Sequence, residues 1–250
     1  MRRLWALVAG LCLAAPGVLS AEAASPPAVV IVIDDMGDRP LEGQRVADLP
    51  VPVVCAFLPH TPHAPRQARA CHGADKDVML HLPMEALNGG ELGPGGVTLD
   101  MTPERFRDVV QDNLDAIPHA AAVNNHMGSL LTQHPGHMSW LMEVLVDAGD
   151  LLFLDSRTSP NSVGKQMARE ADLPALERDV FLDHYRDRGT IDRQLQQLLR
   201  QARRDGTAVG IGHPYPETLD VLESRLEELA DRYGVEIVGL DELYDRRNGR

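Results

Sequence analysis

A barrel of parallel strands alternating with helices is the fold this sequence predicts, and three observations lead to it. Short apolar, β-branched runs alternate with amphipathic stretches in units of roughly 25–40 residues, the pattern of a parallel sheet. The runs are continuous rather than alternating, so their strands are buried on both faces. Six runs end in a polar cluster, and the C-terminal ends of parallel strands converge on one mouth. The expected architecture is a distorted (β/α) barrel of about seven parallel strands.

Before the barrel, Arg2 and Arg3, the apolar run 4–15 and the small residues 20–24 have the pattern of a secretory signal peptide, assigned to residues 1–23. The apolar run is short for a membrane span, although a retained N-terminal anchor is the alternative. Either reading predicts an exported domain, periplasmic or extracellular. Residues 24–28 read as a linker, 29–245 as one domain and 246–250 as a tail.

Strands are expected at 29–33, 53–58, 77–80, 120–123, 151–154, 180–182, 208–211 and 235–238. Helices are expected at 62–70, 139–148, 162–171, 191–204 and 217–233. Another begins at Thr102-Pro103-Glu104, an N-cap followed by proline and an acid, with Phe106, Val109, Val110, Leu114 and Ile117 as its apolar stripe. Pro83 argues against a strand continuing beyond Leu82. Residues 88–96 hold five glycines and a proline in nine positions and read as a loop at the mouth.

The chain carries 37 acidic against 24 basic residues, a formal charge of −13. An acidic surface argues against nucleic acid and anionic membranes as partners. Cys55 lies inside an apolar strand and is expected to act as a small hydrophobe rather than to pair with Cys71.

The strand-end clusters carry the chemistry. Asp34-Asp35 follow a fully apolar run, and Gly37 eases the turn that aims both carboxylates at the mouth. His81 and Glu85 lie four residues apart, where strand becomes loop. Asn124-Asn125-His126 leave an apolar strand as three consecutive bulky polar side chains, which a packed core cannot satisfy. Asp155-Ser156-Arg157 offers a carboxylate to orient an imidazole and a guanidinium to hold an oxygen. His213 follows Gly210-Ile211-Gly212, whose glycines admit close approach of another group. His60, His63, His72, His119, His134, His137 and His184 are expected to be solvated, with His60 the nearest to a strand end. Carboxylates and imidazoles converging at one mouth suit metal binding or proton transfer.

The blocks 31–37 (Ile-Val-Ile-Asp-Asp-Met-Gly), 81–85 (His-Leu-Pro-Met-Glu), 124–129 (Asn-Asn-His-Met-Gly-Ser), 153–159 (Phe-Leu-Asp-Ser-Arg-Thr-Ser) and 211–214 (Ile-Gly-His-Pro) together resemble the divergent polysaccharide deacetylase family. The resemblance covers nearly all of 29–243. That family is related to metal-dependent carbohydrate deacetylases, and the resemblance implies a set of roles. Asp34 would be the general base, and Asp35 and His81 metal ligands. His213 would be the general acid, oriented by Asp155. In the wider family a second histidine follows the first by four positions, where this chain has Glu85. Glu85 can substitute, but His126 is preferred as third ligand because it keeps nitrogen in the set. Asn125 and Arg157 complete the list as ligand or supporting residues. The implied cofactor is a divalent metal, with Zn²⁺ the first choice. The implied reaction is hydrolysis of an acetyl or related acyl group on a cell-envelope or peptidoglycan-type carbohydrate. A non-catalytic carbohydrate-binding or envelope-assembly factor with a relic metal site is the competing class, and an amidase or esterase on the same barrel the third.

Overall fold

The computed structural model describes residues 25–249, so the expected signal peptide lies outside the described residues. Nine strands and nine α-helices alternate along it. The strands are β1 (Ala28–Met36), β2 (Val54–Phe57), β3 (Val78–Met84), β4 (Ala120–Met127), β5 (Leu152–Asp155), β6 (Ala175–Glu177), β7 (Val180–Phe181), β8 (Thr207–Gly212) and β9 (Glu236–Ile237). The helices are α1 (Pro40–Ala47), α2 (Ala64–Gly73), α3 (Pro103–Ala116), α4 (Pro135–Ala148), α5 (Gly164–Glu170), α6 (Arg188–Asp205), α7 (Pro216–Arg225), α8 (Leu229–Tyr233) and α9 (Leu240–Asn248). Ala28, assigned to the linker, is already the first residue of β1, and α9 carries the domain to Asn248.

All strand pairs are parallel, in the order β6-β5-β4-β3-β2-β1-β8-β7, with β9 beside the start of β1. One segment joins the two ends of this path. Residues 175–177 pair with β5, and 180–181 pair with β8. Between them the Arg178 amide bonds to Asp155 O and the Asp179 amide to Val209 O. The sheet is therefore curled into the expected distorted barrel, seamed by one short stretch of chain.

Period-two alternation sorts the side chains into two cores. Val30, Val32, Ala56, Met79, Ala122, Leu154, Leu176 and Ile211 fill the barrel interior. Val29, Ile31, Ile33, Phe57, Leu80 and Phe153 face outward and bury against the helices. α3 begins as read, with the Thr102 side chain accepting from the Arg105 amide at 3.3 Å. The expected helix at 217–233 is broken, because a 3-10 turn at Leu226–Glu228 separates α7 from α8.

Two local expectations are corrected. β3 continues through Pro83 to Met84, with Pro83 opposite His126 of β4. The ladder to β2 ends at Leu80, so Pro83 forfeits no hydrogen bond on that side, the condition under which a strand tolerates proline. Cys55 and Cys71 form a disulfide joining β2 to α2. Residue 55 shares the outward face with Phe57, and that face meets the helix carrying Cys71.

The bridge closes a loop of sequence separation 16. Replacing both cysteines by alanine is expected to lower the unfolding free energy by about 3 kcal/mol, the chain-entropy value for a loop of about 15 residues. Denaturant unfolding with and without reductant measures this, and two titratable thiols in unreduced protein would refute it.

Candidate active site at the barrel mouth

The interior rows that fill the barrel with Val30-Val32, Met79 and Ala122 continue upward as Asp34, His81 and Asn124-His126. β1 contributes more than one residue because its register against β2 slips between Ile33 and Met36. Such a bulge re-aims a side chain at the rim of a barrel. Asp35 follows Asp34 with φ 54°, and this turn sends its carboxylate toward the mouth beside Asp34. Gly37, at φ 117°, completes the turn; a Cβ there would stand 2.0 Å from Thr61 Oγ1. Positive φ recurs at Met127 and Arg157, where β4 and β5 end. Non-glycine residues adopt this conformation rarely, and functional sites are where such strain collects.

Asn124 is the hinge of the buried layer. Its Nδ2 donates to Asp34 Oδ1 at 2.8 Å, and its Oδ1 lies 2.7 Å from His81 Nδ1. The amide oxygen accepts from that ring nitrogen, so Nε2 is the atom His81 turns to the mouth. There, His81 Nε2 lies 3.2 Å from His126 Nδ1 and 3.3 Å from Asp35 Oδ1, and His126 Nδ1 lies 2.9 Å from the same oxygen. One ligand atom from each of Asp35, His81 and His126 falls within 4.8 Å of the others.

These residues fit a metal ion. Ligand atoms around a tetrahedral Zn²⁺ with bonds of 2.0–2.1 Å stand about 3.3 Å apart. Asp35 Oδ1 is buried and, despite its close nitrogens, has no directional hydrogen bond. Two imidazoles and a carboxylate form a donor set suited to zinc.

Charge is balanced tightly here. Burial works against the Asp35 anion, but His126 and His81 outweigh it and hold its carboxyl below the usual carboxylate range. Burial likewise opposes protonation of His81, yet Asp34 and Asp35 overcome it and push its pKa up to about 9. Asp34, buried outright, is raised by desolvation, with His81, His213 and Asn124 pulling the other way.

His213 faces this group from β8, its Nε2 3.7 Å from Asp35 Oδ2. Its Nδ1 lies 2.9 Å from Asp183 Oδ1, and the other Asp183 oxygen accepts the His213 amide at 2.6 Å and the Thr218 hydroxyl at 2.7 Å. Burial disfavours the His213 cation, but Asp183, Asp35 and Asp34 raise its pKa above the ordinary value.

The orienting carboxylate is thus Asp183 and not Asp155. Asp155 shares the outward face of Phe153, where it accepts the Ser162 hydroxyl at 2.7 Å and the Arg157 amide at 2.8 Å. Glu85 also stays out of the ligand group; its Oε2 takes the Leu99 amide at 2.7 Å and ties down the segment after the glycine-rich loop. Asn125 is a tether between strand ends, donating to Met127 O and accepting from the Ser156 amide. Arg157 turns aside to Glu177, 3.7 Å away. In its stead the half-buried Arg178 donates to the carbonyls of Ser156 and Arg157 across the seam, at 2.7 and 2.9 Å. His60 pairs with Asn113 at 2.9 Å. His137, expected in solvent, is buried against Phe106 and Trp140. A cavity of about 650 Å³ lies at the opposite end of the barrel between α4, α5 and α9, and none of these site residues lines it.

Comparison with known proteins identifies the family and the fold. The family model described as divergent polysaccharide deacetylase matches residues 31–244. A Haemophilus influenzae protein is 32% identical over 216 residues, covering 86% of this chain and 76% of its own. YibQ of Escherichia coli strain K12 is 33% identical over 201 residues, 80% of this chain, and this chain spans 63% of its length. A crystal structure from Agrobacterium tumefaciens C58 superposes with a TM-score of 0.82 at 26% identity, covering 88% of this chain and 90% of that one. A structure described as T48 deacetylase with substrate shares the fold at a TM-score of 0.53 and 13% identity, with coverage of 88% and 92%. With matching residues running from β1 into α9, the chain belongs to the divergent polysaccharide deacetylase family.

Proposed function

We propose that this chain is a metal-dependent hydrolase that removes acetyl, or related acyl, groups from a cell-envelope carbohydrate. The observation that carries the proposal is the meeting of Asp35, His81 and His126 within 4.8 Å, with the Asp183-held His213 on the facing strand. Family membership supports carbohydrate deacetylation as the reaction class, and the neighbour named as a deacetylase with substrate has the same fold.

Asp35, His81 and His126 would hold the ion, with Zn²⁺ the choice for this donor set. A divalent ion there supplies Lewis-acid polarisation of the acyl oxygen and a water of lowered pKa. Asp34 takes the proton from the attacking water, and the burial that raises its pKa makes it the stronger base. Asn124 fixes Asp34 and His81 in one geometry. His213, whose pKa Asp183 helps to raise, gives its proton to the departing nitrogen as the C–N bond breaks. Acetate and a free amine leave. Export is part of the proposal, supported by the N-terminal pattern and by a disulfide suited to an oxidising compartment.

Asp35→Ala and His81→Ala are each expected to abolish stoichiometric metal binding, measured by metal analysis after dialysis. Asp34→Asn is expected to keep the metal and lose about 10²–10⁴-fold in acetate release from acetylated glycans, the usual range for a proton-transfer group. Glycan binding by wild-type protein with no acetate release would instead favour the non-catalytic reading.

Because a ligating imidazole must shed its proton, metal affinity is expected to weaken as pH falls below about 9, the His81 value, by about tenfold per pH unit for each proton displaced. Chelator competition between pH 6 and 9 reads this directly, and a flat profile contradicts it. Asp183→Asn removes a group that raises the His213 pKa, so the protonated acid is lost at lower pH. The basic limb of the kcat/KM profile is expected to move down by about one unit or more, the scale of a neighbouring charge. An unmoved limb in metal-replete protein excludes His213 as the acid.

A further inference from the structure

The groove at the far end of the barrel, about 650 Å³, opens between the C-terminal ends of α4 and α5 and one face of α9. Much of its lining is apolar. Leu145, Leu151, Leu173 and Pro174 contribute to it, together with Val146, which stands 47% exposed. Four aspartates complete the wall. Asp150 follows α4, Asp172 follows α5, and Asp241 and Asp245 stand one turn apart on α9, all four exposed. No Lys, Arg or His lines the groove, and among the described residues none of the four carboxylates has an ion pair or a side-chain hydrogen bond.

An acidic chain does not by itself produce this arrangement. In two other surface grooves the carboxylates are met by cations: Asp220 by Arg45 and Arg188, Asp192 by Arg225, and Glu177 by Lys165. α9 shows both conditions on one helix, for Arg246 holds Glu242 while Asp241 and Asp245 are left unmatched. An i,i+4 pair of like charges opposes helix formation, and Asp245 lies in the last turn, where the helix dipole favours a cation. Uncompensated charge is thus kept beside an apolar hollow against local preference. The four carboxylates are also too far apart to share an ion. Among the described residues, the group of three whose ligand atoms come within 4.8 Å of one another is the one at the mouth. Their spacing suits separate cations carried on one chain, with an apolar side chain between them.

We propose that this groove is a docking surface for a partner protein, and that it takes a segment in which an apolar residue is flanked by lysines or arginines. The apolar residue buries against Val146 and Leu173, taking both surfaces out of water. The flanking cations reach the aspartates, and charge pairs of this exposed kind select the partner and speed its arrival more than they add affinity. The groove lies at the opposite end from Asp35, His81 and His126, so docking leaves the mouth open and is independent of the reaction proposed there.

The test selects a random-peptide display library on the purified full chain and titrates the enriched peptides, once synthesised, by calorimetry. They are expected to combine an apolar residue with flanking Lys or Arg, and to lose affinity as salt rises, because exposed pairs are screened. The double variant Asp172→Asn/Asp245→Asn is expected to bind them about tenfold more weakly, as for the loss of two exposed ion pairs. Val146→Asp, a change at an exposed position, is expected to remove binding, with Tm and metal content of both variants held as evidence of folding. No enrichment over the Val146→Asp protein, enriched peptides without basic residues, or equal affinity for wild type and both variants each overturn the proposal. Binding weakened in the aspartate variant but untouched in Val146→Asp reduces the groove to a general attraction for cations, and overturns it as well. A dimer in sedimentation that Val146→Asp dissociates would assign the groove to a second copy of this chain instead.

Discussion

Asp34 is a carboxylate buried at the top of an apolar barrel, and the mouth is organised around making that burial tolerable. An isolated buried charge is costly; one that is hydrogen-bonded and faces opposite charge is not. Asn124 supplies the hydrogen bond and presents its other end to His81, whose imidazole carries the compensating charge. Parallel pairing fixes this contact, since His81 and Asn124 are register partners on β3 and β4. The same imidazole then turns its second nitrogen to Asp35 and His126. The groups that could grip an ion are therefore oriented by the group beside them that would move a proton.

Positive-φ backbone occurs at three of the strand ends where this arrangement is assembled. The bulge in β1 and the left-handed turn at Asp35 convert an alternating Asp-Asp pair, which a regular strand would split between its faces, into two carboxylates on one side. Met127 and Arg157 repeat the turn on β4 and β5. Tethers offset the cost: Asn125 bonds to Met127 O and to the Ser156 amide, and Asp155 to the Arg157 amide. Residues that looked like candidates for chemistry are, in part, the fittings that keep the strained ends in place.

Much of the site was legible because polarity breaks abruptly at the ends of apolar runs. Asp34, Asp35, His81, His126 and His213 all stand at such breaks. Asp155 stands at one too, but alternation puts it on the face of Phe153, away from the mouth, and period two applied one residue further separates it from the others. Asp183 also follows an apolar run, the expected strand 180–182, but that run is short and charged residues flank it on both sides, so the contrast that marked the other strand ends is weak there. The disulfide was opaque for another reason. An apolar strand residue and a helix residue become partners only once α2 lies across the outer face of β2, a tertiary fact that neither local pattern contains. α1 and α9 were passed over because their apolar stripes are short.

The seam between β6 and β7 has a bearing on how this molecule comes into being. Asp183 hangs from the stretch of chain that zips the first and last strands of the path together, whereas β1, β3 and β4 lie on an unbroken run of neighbours. A folding intermediate with that run formed and the zipper still open would own all three candidate ligands while leaving His213 without the carboxylate that aims it. The three candidate ligands and the carboxylate that orients His213 therefore belong to separable parts of the sheet, and the second part is in place only when the circle is closed.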